Sequence, residues 1–160
     1  MDPENTLYLD LDHGRVTIKL RPDLAPQHVA RIKELVREGF YNGLTFHRVI
    51  EGFMAQTGDP RGDGTGGSGK KLKAEFNSAN FLRGTVGMAR ANDPDSGDSQ
   101  FFICFEPAPF LDGKYTVWGQ VTAGMEAIDA IKRGQGQSGM VTNPDQIVRM
   151  QVAADAEKAG

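Results

Sequence analysis

In the run Phe46-His47-Arg48-Val49-Ile50-Glu51-Gly52-Phe53-Met54-Ala55-Gln56-Thr57-Gly58-Asp59, one arginine and one glutamine are interleaved with large apolar residues at strand spacing. Such a strand offers two polar groups above an apolar floor. That combination suits a surface that grips an uncharged peptide and holds a proline ring while polarising its amide. It does not suit bond-breaking chemistry: the run supplies no activated nucleophile, and His47 has no acidic or nucleophilic neighbour spaced to make it a general base. Arg48 is hard to assign to packing alone, because an arginine flanked by Phe46, Val49 and Ile50 is seldom merely solvated; an ion pair with Glu51 or another acidic residue is its structural alternative. His47 falls on the opposite strand face and reads as a core histidine with its hydrogen bonds satisfied.

Other patterns that could carry chemistry fail on context. Gly62-Asp63-Gly64-Thr65-Gly66-Gly67 spells a dinucleotide fingerprint, yet it follows Asp59-Pro60 and leads into no helical periodicity. Gly64 to Lys70 nearly spells a phosphate loop, but Lys71 stands where a magnesium-binding Ser or Thr belongs. The glycine-rich stretch from Gly58 to Lys71 reads instead as a flexible surface loop rimming a groove, with glycines allowing positive φ and close approach of a bound chain. His13, His28 and His47 lack paired spacing and one cysteine cannot complete a thiolate site, so no metal and no cofactor is expected. The acidic loop Asp93 to Asp98 lacks the glycine placement and terminal glutamate of a calcium loop and reads as a solvated turn.

Composition narrows the function classes further. Lysine and arginine number 18 against 21 acidic residues, a net charge of −3, so no nucleic-acid partner is expected. The apolar stretches are far shorter than the ~20 residues that cross a bilayer, and Met1-Asp2-Pro3-Glu4-Asn5 has no basic region followed by an apolar one. A cytoplasmic monomer with no membrane association is expected, as one domain over residues 1–160 with its core at about 6–152. The single cysteine, Cys104, excludes an internal disulfide, fits a reducing compartment and reads as a small apolar residue in a buried strand.

The elements that must position these residues are mostly short strands. Leu7 to Leu11 and Val16 to Leu20 alternate with a period of two around the tight turn Asp12-His13-Gly14-Arg15. From Pro26 to Glu38, Val29, Ile32, Leu35 and Val36 share a helical face, with Gly39 just past the end. Further strands are predicted at Thr45 to Ile50, Phe53 to Gln56, Thr85 to Ala89, Gln100 to Cys104, Thr116 to Val121 and Ile147 to Val152, with a short helix at Gly124 to Lys132 and a frayed tail from Ala153 to Gly160. The predicted fold is mainly β: an eight-stranded antiparallel closed β-barrel capped by two α-helices.

Two later segments agree with the first. Gly84-Thr85-Val86-Gly87-Met88-Ala89-Arg90-Ala91-Asn92 is followed by Ser99-Gln100-Phe101-Phe102-Ile103, and then by Phe110-Leu111-Asp112-Gly113-Lys114-Tyr115. In order and spacing, from about Thr6 to Val152, the three segments resemble the cyclophilins, the peptidyl-prolyl cis-trans isomerase family, and most of all its short bacterial cytoplasmic branch. The resemblance implies the same barrel and an enzyme that rotates Xaa-Pro bonds in flexible protein segments, assisting folding. It also implies a set of roles. Phe53, Met54, Phe102 and Leu111 would form an apolar proline pocket; Gln56 would hydrogen-bond Arg48 and the substrate carbonyl; Ala89, Arg90 and Ala91 would line the approach, with the Arg90 backbone pairing to the peptide; and Gln100 would sit on the groove floor. Taken singly, each Phe and Met would fit a core equally well.

Rotating an amide costs ~18–20 kcal/mol because nitrogen conjugation must be broken, while cis and trans forms before proline lie within about 1 kcal/mol. A catalyst need only favour the twisted state. Arg48 is the candidate donor toward the prolyl nitrogen, since its guanidinium stays charged and presents several donors in a fixed plane. Two departures from the family pattern stand out. Phe110 replaces a tryptophan whose indole hydrogen-bonds cyclosporin in sensitive members, which predicts weak cyclosporin binding, and Tyr115 replaces a pocket histidine, which bears on substrate preference. A proline-peptide binding module or holdase chaperone without turnover would share the aromatic residues but would not need Arg48 with Gln56. A nucleotide-binding protein fails on the context of its glycines.

Overall fold

Alternation of apolar residues sets the first two strands. In β1 (Thr6–Leu11), Leu7, Leu9 and Leu11 point inward, and in β2 (Gly14–Leu20), Val16, Ile18 and Leu20 do the same. The computed structural model describes residues 2–159 of the chain. The pair is antiparallel, with Leu11 opposite Gly14 across the two-residue turn. Six more strands follow: β3 (Arg48–Ile50), β4 (Met54–Thr57), β5 (Thr85–Met88), β6 (Phe101–Cys104), β7 (Val117–Ala123) and β8 (Arg149–Val152). They form one antiparallel sheet in the order β3-β4-β6-β5-β7-β2-β1-β8. Register shifts between Thr17 and Ile18 and between Val86 and Gly87 add curl where β7 meets its neighbours.

The sheet curls strongly, and its two end strands are joined without a ladder between them. The seam is crossed by irregular chain, through the Thr45–Gln146 bridge, the Phe46 N–H to the Asp145 carbonyl at 2.9 Å and the Ile147 N–H to the Leu44 carbonyl at 2.8 Å. This is why β3 and β8 start at Arg48 and Arg149, three and two residues later than the sequence pattern predicts. The outer edge of β3 is also covered: Val49 exchanges backbone bonds with Gly134 and Gly139, both at 2.8 Å, and the Val141 N–H donates to the His47 carbonyl at 3.0 Å. Paired edges of this kind leave no open template for another strand.

Helix α1 (Pro26–Arg37) lays His28, Val29, Ile32, Leu35 and Val36 on the core, and α2 (Met125–Asp129), shorter than predicted, buries Ala127 and Ile128. A third helix, α3 (Ala153–Ala159), replaces the predicted frayed tail. Alanine-rich sequence favours it, Ala153 is buried, and Asp155 pairs with Arg37 at 3.0 Å, which ties it to α1. The first turn of α1 has no cap of its own. Glu75, far along the chain, supplies it by accepting from the backbone N–H groups of Gln27 (3.1 Å) and His28 (2.8 Å) and from His28 Nδ1 (2.6 Å).

Because β6 is buried on both faces, it divides two apolar clusters. Phe101 and Ile103 join the barrel core with Trp118, Leu9 and Ile18, while Phe102 and Cys104 face a smaller cluster with Met54, Phe81, Leu111 and Val117. Burial pushes the Cys104 thiol up to about 12, so it behaves as an apolar strand residue.

His28 and His47 are both 1% exposed, and burial lowers the pKa of each, with Glu75 opposing the shift at His28 and Asp59 at His47. Each therefore binds a proton less readily when folded than when unfolded, so stability is held above about pH 6.5 and lost as pH falls below it. Chemical denaturation at pH 7 and pH 5 should show a decline of up to about 1.4 kcal/mol per pH unit for each histidine, and His28→Gln should remove its share. A flat profile between pH 5 and 7 would contradict this.

Candidate active site

The β3–β4 hairpin places Arg48 directly opposite Gln56, and the β4–β6 pairing places Gln56 opposite Phe102. Cross-strand partners share a face, so arginine, glutamine and phenylalanine form one row across three strands. Gly87 continues the row beside Phe102; a Cβ there would strike the rings of Phe81 and Phe102, so the missing side chain is what lets the Phe102 ring lie flat. Two residues along β4, Met54 shares this face and is 2% exposed. The floor is therefore Phe102 and Met54. The walls are Phe53 and Phe110, with ring centres 5.4 Å apart, Leu111, and Tyr115, which meets Phe102 edge-on at 5.8 Å.

These residues enclose a cleft of about 470 Å³. Ten of the twelve residues singled out in the sequence line it: Arg48, Phe53, Met54, Gln56, Ala89, Arg90, Phe102, Phe110, Leu111 and Tyr115. The other two, Ala91 and Gln100, line an adjoining cleft of about 290 Å³ that shares Gln56, Ala89 and Arg90 with the first. The choice between core and pocket for Met54, Phe102 and Leu111 resolves as both, since they are 2%, 5% and 7% exposed yet form the cleft surface. Phe110 is 62% exposed at the rim.

A chain of oriented amides fixes the polar side. Gln100 Nε2 donates to the carbonyls of Gly64 (3.0 Å) and Gly66 (2.9 Å), which turns its Oε1 toward Gln56. Gln56 Nε2 donates to that oxygen at 2.9 Å, and Gln56 Oε1 accepts from Arg48 Nη1 at 3.1 Å. Two carbonyl groups thus decide which end of each amide faces which neighbour. From the other side, Arg48 Nε donates to the Ser138 carbonyl at 2.9 Å. Among the described residues Arg48 Nη2 has no acceptor. Glu51 pairs with Arg133, so the ion pair considered for Arg48 is not formed.

The loop that supplies the two carbonyls is pinned rather than loose. Asp59 accepts from the N–H groups of Arg61, Asp63 and Gly64, and Asp98 accepts from Ser68 and Gly69. A Cβ on Gly66 would run into the Asp59 carboxylate and one on Gly67 into that of Asp98, so here glycine serves close approach to the protein's own carboxylates. His47 lies beneath this loop, with Nε2 4.0 Å from where a Gly64 Cβ would stand. Neither of its ring nitrogens has a partner among the described residues, which corrects the expectation of a satisfied core histidine. Arg90 is a fixed wall: its Nε and Nη2 donate to the Lys114 carbonyl, its Nη1 to the Ala91 carbonyl, and its guanidinium lies 4.5 Å over the Tyr115 ring.

Sequence reasoning missed Lys114, which lines the main cleft; it sits inside the third quoted segment and its charge was the available signal. It also missed the Ser138 carbonyl, which no side-chain pattern marks. Among the described residues no group of three His, Cys, Asp or Glu is placed to hold a metal ion, and no helix is long and apolar enough to cross a membrane. The arrangement can press an apolar ring against Phe102 and Met54 while holding a fixed guanidinium beside it.

Comparison with known proteins accords with that geometry. Residues 6–152 match the family model described as cyclophilin type peptidyl-prolyl cis-trans isomerase/CLD. A probable peptidyl-prolyl cis-trans isomerase of Brucella suis is 55% identical over 169 aligned positions, covering 98% of this chain and 86% of the relative. Peptidyl-prolyl cis-trans isomerase B of Bacillus subtilis is 46% identical over 125, covering 77% of this chain and 87% of the relative. In three dimensions the chain is similar to a cyclophilin of Hirschia baltica, with a TM-score of 0.86, 29% identity and coverage of 97% of this chain and 76% of that one. It is also similar to a Cryptosporidium parvum cyclophilin-type isomerase crystallised in the presence of the dipeptide Ala-Pro, with a TM-score of 0.85, 27% identity and coverage of 92% and 98%.

Gln100→Ala should release the loop as well as Gln56. Losing two hydrogen bonds to Gly64 and Gly66, each worth roughly 1 kcal/mol, should raise amide exchange across residues 61–67 by about tenfold or more. Unchanged exchange there would show that Asp59 holds the loop without Gln100.

Proposed function

This chain belongs to the cyclophilin-type peptidyl-prolyl cis-trans isomerases, and from that premise we propose that Arg48 drives the isomerisation without any covalent intermediate, by stabilising the twisted Xaa-Pro imide. The proline ring enters the apolar cleft over Phe102 and Met54, walled by Phe53, Phe110, Leu111 and Tyr115. Gln56 takes part in holding the flanking carbonyl, and the backbone N–H and carbonyl of Arg90, which make no hydrogen bond among the described residues, pair with the peptide main chain. Ala89 and Ala91 keep that approach narrow and Gln100 supports its floor. With the flanking chain anchored, one side of the Xaa-Pro bond turns against the other.

The single observation that supports this reading is the state of the Arg48 guanidinium. Two of its nitrogens are tied down by the Ser138 carbonyl and by Gln56, the third has no acceptor among the described residues, and the residue lines the apolar cleft. As the prolyl nitrogen loses conjugation its lone pair becomes basic, and a fixed cationic donor favours that state over the planar ground state. Fixing the donor beforehand removes its reorganisation from the barrier. A binding module without turnover would have no use for a donor held in this way.

The substrates on this reading are proline-containing segments of flexible or unfolded polypeptides, with assistance to folding as the cellular role, in the cytoplasm and as a monomer. No metal, cofactor, membrane or nucleic acid takes part. Phe110 offers no donor at the rim, so cyclosporin binds weakly.

Arg48→Ala should lower kcat/KM for an Ala-Pro peptide by about 100-fold, the scale of losing one fixed donor at a transition state, with little change in peptide affinity or circular dichroism. Exchange spectroscopy on the cis and trans resonances measures both. Undiminished exchange in the variant would remove Arg48 from its role.

A further inference from the structure

The charge of the molecule is distributed unevenly. Although the chain is acidic overall, at −3, the two adjoining clefts are lined by four cations, Arg48, Lys71, Arg90 and Lys114, and by one carboxylate, Asp98. That carboxylate is already engaged: Oδ1 accepts from the Ser68 N–H at 2.7 Å and its hydroxyl at 2.6 Å, and Oδ2 from the Gly69 N–H at 3.1 Å.

Away from the groove, many of the cations are neutralised by close carboxylates. Arg15 pairs with Asp10, Arg21 with Asp23, Lys33 and Arg37 with Glu4, Arg83 with Asp129 and Arg133 with Glu51. None of the four groove cations has such a partner among the described residues. Arg90 is the most firmly positioned of the four. Its guanidinium donates only to main-chain carbonyls and stacks on Tyr115, so its position is fixed while its charge stays uncompensated. Lys114 is exposed at the proline cleft and Lys71 is exposed in the second cleft, which places one free cation in each of the two adjoining clefts. A groove whose lining is net positive, four cations against one carboxylate, attracts the opposite charge.

We propose that this groove selects proline segments carrying aspartate or glutamate within a few residues on either side of the proline. The proposal rests on the isomerase reading above, and adds to it a substrate class. Solvent-exposed ion pairs contribute little individually, so each acidic residue should favour its peptide by about two- to fivefold over a neutral one, and a lysine in its place should be disfavoured by a similar factor.

The test compares five proline peptides: neutral, or with Glu or Lys placed two residues before or two residues after the proline. For each, exchange spectroscopy gives the catalysed rate and a chemical-shift titration gives the affinity, at about 20 mM salt and again at about 500 mM, where exposed charges are screened. The expected result is a Glu-to-Lys ratio of about fivefold or more at low salt on at least one flank, shrinking toward unity at high salt. Lys71→Glu, a change at an exposed position, should reverse that ratio on the flank that enters the second cleft. Equal rates and affinities for the Glu and Lys peptides at low salt, or a preference that salt leaves intact, would overturn the proposal. Absence of catalysis on the neutral peptide would instead refute the isomerase mechanism, and the affinities would still decide the charge preference.

Discussion

The geometry of the cleft depends on the line of hydrogen bonds that runs from the carbonyls of Gly64 and Gly66 through Gln100 and Gln56 to Arg48. A primary amide can present either end to a neighbour, and an arginine on a short strand can take several rotamers. Here each member's orientation is fixed by the one before it, and the first is fixed by backbone. The Ser138 carbonyl holds the guanidinium from the opposite side, so the charge beside the cleft is clamped between two chain segments that lie far apart in sequence. Fixed dipoles in a partly dry site act more strongly than mobile ones in water, which is why a network of ordinary hydrogen bonds can matter to a rotation barrier.

The apolar half of the cleft comes from a property of strands. Successive residues of β6 face opposite sides, so Phe101 and Ile103 stabilise the barrel while Phe102 and Cys104 serve the outer cluster. The cleft floor therefore rests on the barrel core itself. This couples stability to shape: a floor backed by close packing yields little when a ring presses on it. The exposed Phe110 at the rim is the opposite case, since it places an apolar surface in water that only a bound group would cover.

Much of this was legible in the sequence, for identifiable reasons. Arg48 and Gln56 lie on either side of a turn at Glu51 and Gly52, so their pairing follows once both runs are read as strands, and the segments around Arg90, Gln100 and Leu111 follow from ordered motifs. Contacts made by backbone were not legible. The Ser138 carbonyl, the carbonyls of the glycine loop and the crossing of the barrel seam involve groups every residue possesses, so composition and periodicity carry no trace of them. The loop was read as flexible because glycine was weighed without Asp59 and Asp98, whose carboxylates organise it. The last helix was missed because what docks it, the burial of Ala153 and the pairing of Asp155 with Arg37 on another element, leaves no periodic pattern in the tail itself. His47 was read as a buried histidine, which it is, but was given partners it does not have.

Whether the amide line acts on catalysis through Arg48 can be read from a double-mutant cycle on kcat/KM. If Gln100 acts by orienting Arg48, Gln100→Ala should cost about tenfold in the wild-type background and almost nothing once Arg48 is alanine, because the group it orients is gone. If the two losses instead multiply in the double variant, Gln100 acts on the substrate by a separate route and the line of amides is not what holds the catalytic charge in place.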